Sequence, residues 1–112
     1  MATTALKDLS SIFPHDRLLT DEASLAHYGR DWTKHYDIKP SAIVFPTAPE
    51  EVSRLVKWAR ANHIGLVPSG GRTGLSGGAC ALKGEVVVSF EKMNKILEYN
   101  ETDRTARVQP GV

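Results

Sequence analysis

Apolar residues recur along the chain in short patterns, each of which predicts an element. Ala5, Leu6, Leu9 and Ile12 form a helical stripe over residues 4–12, which Pro14 ends. Thr20 suits a second N-cap, with Asp21 and Glu22 in the first turn, where the helix dipole favours acids, and Gly29 as the stop. Residues 30–40, with Trp32, Lys34, His35, Tyr36 and Asp37, keep no period and read as an irregular connector. Residues 41–46 are apolar without alternation, as in a strand buried on both faces, and Pro46 closes them.

Thr47 and Glu50 then have capping-box spacing, with Pro49 tolerated in the first turn. Val52, Leu55, Val56 and Ala59 follow at i, i+3, i+4 and i+7 and predict the core face of a helix that Asn62 and Gly65 end. Glu50, Glu51, Arg54, Lys57 and Arg60 give it a solvated face of i, i+3 and i, i+4 charge pairs. A second strand is expected at residues 64–67, and strand, helix and strand at this spacing make a parallel, right-handed βαβ unit. Residues 85–90 predict a third strand and residues 92–94 a turn. Leu97 and Tyr99, then Ala106 and Val108, alternate with polar neighbours on either side of Thr102-Asp103, predicting a terminal hairpin. The fold class is α+β: a small parallel βαβ sheet with flanking helices and a terminal hairpin.

Composition narrows the function classes. A chain of 112 residues supports one core, and 41% hydrophobic with 24% charged residues is ordinary for a globular domain. Fourteen Lys plus Arg against thirteen Asp plus Glu leave a formal charge of +1, so no bulk attraction to nucleic acid or membrane is implied and anion recognition must be local. No apolar run reaches the roughly 20 residues of a membrane span, and Lys7 and Asp8 interrupt any signal-peptide-like start. Cys80 stands alone, which excludes an internal disulfide and makes the cytoplasm the default compartment. The chain stops on Gln109-Pro110-Gly111-Val112, straight after a strand, and reads as a beginning whose continuation follows.

The candidate chemistry lies in Pro68-Ser69-Gly70-Gly71-Arg72-Thr73-Gly74-Leu75-Ser76-Gly77-Gly78. Glycines let the main chain approach a phosphate closely and adopt positive φ, so that successive N–H groups converge on one anion. The loop lacks the lysine and hydroxyl of a P-loop, and Arg72 stands where the dinucleotide fingerprint requires its second glycine. Gly71-Arg72-Thr73-Gly74 matches the GXXG clamp of KH domains in letters, but a strand precedes it where those domains place a helix. A phosphate-bearing ligand is the expectation, against the alternative of a flexible surface loop.

Pro46, the helix after it, the strand into the glycine loop, the strand at 86–90 with Met93-Asn94-Lys95-Ile96, and Val108-Gln109-Pro110-Gly111-Val112 occur in an informative order. Together they resemble the amino-terminal part of FAD-linked oxidases of the vanillyl-alcohol oxidase and p-cresol methylhydroxylase (PCMH) family, over about residues 28–112. Within that family the likeness is greatest to flavoprotein dehydrogenases of D-2-hydroxy acids such as D-lactate, D-2-hydroxyglutarate and glycolate. The resemblance implies that residues 1–40 are amino-terminal helices and connector, and that 41–112 are the first subdomain of a PCMH-type FAD-binding domain.

By the same resemblance, the backbone of Gly70, Gly71, Arg72, Thr73 and Gly74 would hold the FAD pyrophosphate, flanked by Ser69, Leu75 and Ser76. Pro46 and Pro68 would lie near the adenine end, or else merely terminate strands. Arg72 either neutralises phosphate charge or turns outward; Thr73 offers hydroxyl and amide to one oxygen. Some relatives attach FAD to a histidine within this loop, and none stands between Pro68 and Gly78, so the FAD is expected to be noncovalent. The full protein would oxidise a small 2-hydroxy acid by hydride transfer to the flavin N5. This stretch contains no catalytic residue and is expected neither to retain FAD alone nor to keep its bared apolar face from self-association or strand exchange. The rival reading is a stand-alone nucleotide- or phosphate-binding module without redox activity.

Other residues carry less. His15, His27, His35 and His63 lack ligand-like spacing, and no metal site is assigned. Trp32, Tyr36 and Trp58 have packing as their commoner use, with adenine stacking the alternative. Cys80 reads as a small buried residue, having no base near it in sequence.

Overall fold

The computed structural model describes residues 2–33 and 35–112; Lys34 of the connector lies outside them. Helix α1 (Ala2–Leu9) leads through a 3-10 turn (His15–Arg17) to strand β1 (Leu18–Leu19) and helix α2 (Glu22–Tyr28). After the connector come β2 (Ala42–Val44), α3 (Pro49–Asn62), β3 (Leu66–Ser69), β4 (Val86–Ser89) and a hairpin of β5 (Ile96–Asn100) and β6 (Thr105–Val108).

The main sheet has the order β1-β2-β4-β3. β4 lies parallel to both neighbours, with Val44 beside Val88 on one side and Val67 beside Val87 on the other. The strands flanking α3 are therefore parallel, as their spacing predicts, but β4 inserts between them. β1 adds an antiparallel edge through Leu18 and Leu19, an element too short for any periodicity to register. β3 is the other edge and tolerates Pro68 within the strand, so Pro68 does not terminate it and the strand runs on to Ser69.

Two cores sandwich the sheet. On one face Leu9 and Phe13, with Leu55, Trp58 and Ala59 of α3, pack on Ala42, Val44, Val86 and Val88. The opposite face joins Ile43, Phe45, Val67, Val87 and Ala81, with Leu25 and Tyr28 of α2 against them. Alternate residues of β2 and β4 thus serve opposite cores, which is why these strands show no polar alternation. The Trp58 indole donates to the Ala5 carbonyl at 3.1 Å, joining α1 to α3 and giving this ring a packing role.

Local details correct several expectations. α2 is capped by Asp21, not Thr20: its carboxylate accepts from the Ser24 N–H at 3.0 Å, adding a charge favoured by the helix dipole. The N-cap of α3 is Ala48, and the Thr47–Glu50 box does not form. Instead Glu51 accepts from the Thr47 N–H and hydroxyl, both at 2.7 Å. Glu51 also receives both terminal nitrogens of Arg17 at 2.7 Å, so it leaves the solvated face and is buried. The core side of α3 accordingly shifts to Glu51, Leu55, Trp58 and Ala59, leaving Val56 50% exposed. His63, at φ 54°, takes the left-handed C-cap position in place of the expected Gly65. The terminal hairpin forms with Tyr99 opposite Ala106 and a bulge between Ile96 and Glu98.

Candidate functional site

β3 and β4 end side by side at Ser69 and Ser89, and the glycine loop leaves from the carboxyl end of β3. That is the edge of a parallel sheet where ligands are received. Both serine hydroxyls are buried without a hydrogen-bond partner among the described residues. An unsatisfied buried hydroxyl costs on the order of 1–3 kcal/mol, so these two stand out among the buried polar groups of the described residues.

The loop residues divide by environment. Gly70, Gly71, Thr73, Gly74, Leu75 and Ser76 are exposed, Arg72 is half-buried, and Ser69 is buried at the loop's root. Pro46 is fully buried just beyond β2, whereas Pro68 is exposed on the sheet edge. A Cβ built on Gly70, Gly71 or Gly78 meets nothing within 4 Å. Positive φ falls instead on Arg72 (59°) and Gly77 (80°), so the conformational argument for glycine applies at Gly77 and not at Gly70 or Gly71. Neither packing nor backbone geometry within the chain requires those two residues to be glycine. A polyanion lying against their amides would, which fits the phosphate groups of FAD.

Arg72 does not turn outward. Its guanidinium stacks over the Tyr28 ring at 4.8 Å and lies 3.3 Å from His27 Nε2 and 3.4 Å from the Gly70 carbonyl. Tyr28 in turn meets Phe45 edge-on at 5.1 Å and donates its hydroxyl to Glu91 at 3.0 Å. Burial, then the Glu91 carboxylate, pushes the Tyr28 phenol above its ordinary value, keeping it a neutral donor. His27, Arg30, Asp31, Trp32, Gly71, Arg72 and Thr73 line a cavity of about 270 Å³, whose charged groups are Arg30, Arg72 and Asp31.

A model of the FAD binding domain family matches residues 40–112. The chain belongs to this family. FAD is therefore the cofactor of the domain, and the resemblance drawn from the ordered motifs holds. A D-2-hydroxyglutarate dehydrogenase of Stutzerimonas stutzeri is 57% identical over 107 residues, covering 96% of this chain and 23% of that protein. The glycolate oxidase subunit GlcD of Bacillus subtilis is 40% identical over 85 residues, covering 76% of this chain and 18% of that protein. Among solved structures, p-cresol methylhydroxylase with substrate bound superposes with a TM-score of 0.84 at 26% identity, over 98% of this chain and 22% of that one. The chain spans about a quarter of the length of the first of these relatives. Among the described residues no helix is long and apolar enough to cross a membrane.

The chain also brings to the loop groups that periodicity did not single out. Asp31, inside the apparently irregular connector, is buried against the loop, and Ser89 lies beside Ser69 through strand pairing. Both appear only when segments distant in sequence are brought together. Cys80 is buried as expected; its thiol donates to Asp31 Oδ1 at 3.4 Å, and burial pushes it above its ordinary pKa.

Proposed function

We propose that this chain is the pyrophosphate-holding part of an FAD-dependent dehydrogenase acting on a small 2-hydroxy acid of the D-2-hydroxyglutarate, D-lactate or glycolate type. The observation that carries the reading is the open, exposed pair Gly70 and Gly71 at a parallel strand end, glycines with no reason internal to the chain. The backbone N–H groups of Gly70 to Gly74 receive phosphate oxygens, with Thr73 adding its hydroxyl and Ser69, Leu75 and Ser76 flanking. Pro46 and Pro68 stand toward the adenine end. Arg72, held over Tyr28, keeps its charge beside the phosphates without closing the cradle. When bound, FAD supplies the hydride acceptor; the residues here bind and orient it and take no part in proton transfer. Residues 1–40 serve as support and 41–112 as the first subdomain, the cofactor is noncovalent, and the protein works in the cytoplasm.

Purified full-length protein is expected to absorb in the flavin bands, to release its flavin into the supernatant on acid precipitation, and to bleach anaerobically with one of these hydroxy acids. A colourless protein that fails to take up added FAD overturns the cofactor assignment for this loop. Flavin that stays with the precipitate overturns the noncovalent attachment.

A further inference from the structure

We infer that Asp31 is a positioning residue for the cofactor loop, its buried carboxylate holding the far half of the loop so that the half from Gly70 to Thr73 is presented ready-shaped. The inference rests on the reading of this loop as the FAD phosphate cradle.

Asp31 is only 4% exposed, and the partners it meets are donors. Oδ2 accepts from the Gly77 N–H at 2.8 Å, and Oδ1 accepts from the Thr33 N–H at 2.9 Å and the Cys80 thiol at 3.4 Å. Burying a carboxylate is costly unless such donors surround it, and here two of the three belong to the segment that follows the cradle. The next residue adds a second grip, because the Trp32 N–H donates to the Gly74 carbonyl at 3.0 Å. Connector and loop are thus joined at residues 74 and 77, just past Arg72 and Thr73.

Two further contacts among the described residues shape this part of the loop. The Cys80 N–H returns to the Gly77 carbonyl at 3.1 Å, and Gly77, at φ 80°, has the Tyr36 ring where a Cβ would stand. An exposed, glycine-rich loop released from its anchor must be ordered again whenever it binds, and that ordering entropy is subtracted from affinity. Hydrogen bonds from Thr33, Cys80 and Gly77 hold the Asp31 carboxyl below the usual range against burial, so it stays an acceptor at neutral pH.

Asp31→Asn is the discriminating change: it preserves shape but turns one acceptor into an NH2 group that faces a donor. In the full-length protein stripped of flavin, FAD affinity, melting temperature and labelling of the Cys80 peptide by a thiol reagent are measured together. The expected result is about a tenfold or greater loss of FAD affinity, the scale of one lost charge-assisted hydrogen bond. Cys80 should label faster, FAD at saturation should slow it again, and the flavin-free melting temperature should stay near wild type. Asp37→Asn, an exposed carboxylate in the same connector, should leave all three unchanged.

Unchanged affinity and labelling in Asp31→Asn overturn the inference, as does an affinity loss that merely follows a collapsed melting temperature. Amide exchange in the flavin-free wild type is an independent check: a protected Gly77 N–H supports the anchor, and exchange as fast as at Gly71 overturns it. Failure of the wild type itself to bind FAD defeats the cofactor reading, while the labelling and exchange results still decide whether Asp31 orders the loop.

Discussion

Glycine at two positions of this chain answers to different demands. At Gly71 the space beside the backbone is empty and φ is negative, so Gly71→Ala should leave folding within about 0.5 kcal/mol of wild type. A methyl group there would occupy the space assigned to phosphate, so FAD titration of the full-length protein should show a loss of affinity of about tenfold or more. Gly111 is the converse, since its Cβ would run into the Phe90 carbonyl while its N–H donates to Met93 at 2.9 Å. Gly111→Ala should cost several kcal/mol of stability, read by denaturant unfolding. Equal effects of the two substitutions on folding would contradict the division. The glycine pattern was legible in the sequence, but which glycines serve a ligand and which serve packing was not, because that depends on what lies opposite each Cα.

Among the elements, α3 shows how one half-buried ion pair changes a register. The bidentate Arg17–Glu51 pair ties the 3-10 turn to the first turn of the helix, and Arg17 also donates to the Phe45 carbonyl at 3.1 Å beside Pro46. Hydrogen bonds from Arg17 and then Thr47 hold the Glu51 carboxyl down from 4.5 to about 2. A folded-state pKa below the unfolded one contributes stability that is complete above about 4.5 and fades as pH falls toward about 2. Glu51→Gln should therefore destabilise the chain by about 2 kcal/mol at neutral pH and flatten the stability loss between those two pH values, as followed by denaturant titrations. A variant with the wild-type pH slope would show that the pair is inconsequential. Helical periodicity located α3 correctly, yet it put Val56 inside and Glu51 outside, because a carboxylate's burial is decided by an arginine 34 positions away.

For the whole molecule, dimensions of 52 × 33 × 23 Å reflect a hairpin that stands away from the two cores. Ile96, Leu97, Tyr99 and Val108 are exposed on it, with Ile96 at 67% and Tyr99 at 69%. Such a cluster is unusual on an isolated monomer and favours association. The 112-residue chain alone should elute as a concentration-dependent oligomer in light scattering, and Leu97→Lys with Tyr99→Lys should shift it toward monomer. A sharp monomer at high concentration in the unsubstituted chain would refute this. Sequence alternation revealed the hairpin but could not reveal that both its faces lack a partner within these residues.

Local order was determined by the sequence itself: an apolar run for each buried strand, a 3.6-residue stripe for α3, a proline-flanked glycine loop and a turn at Thr102-Asp103. These depend on residues a few positions apart, whose spacing sets face and turn. Tertiary structure alone decided that β4 lies between β2 and β3, that Leu18 and Leu19 form an edge strand, that Ser69 meets Ser89, and that Asp31 reaches Gly77. The physical reason is the same in each case: pairing order and the burial of a charge are settled by partners dozens of residues away, which no local period encodes.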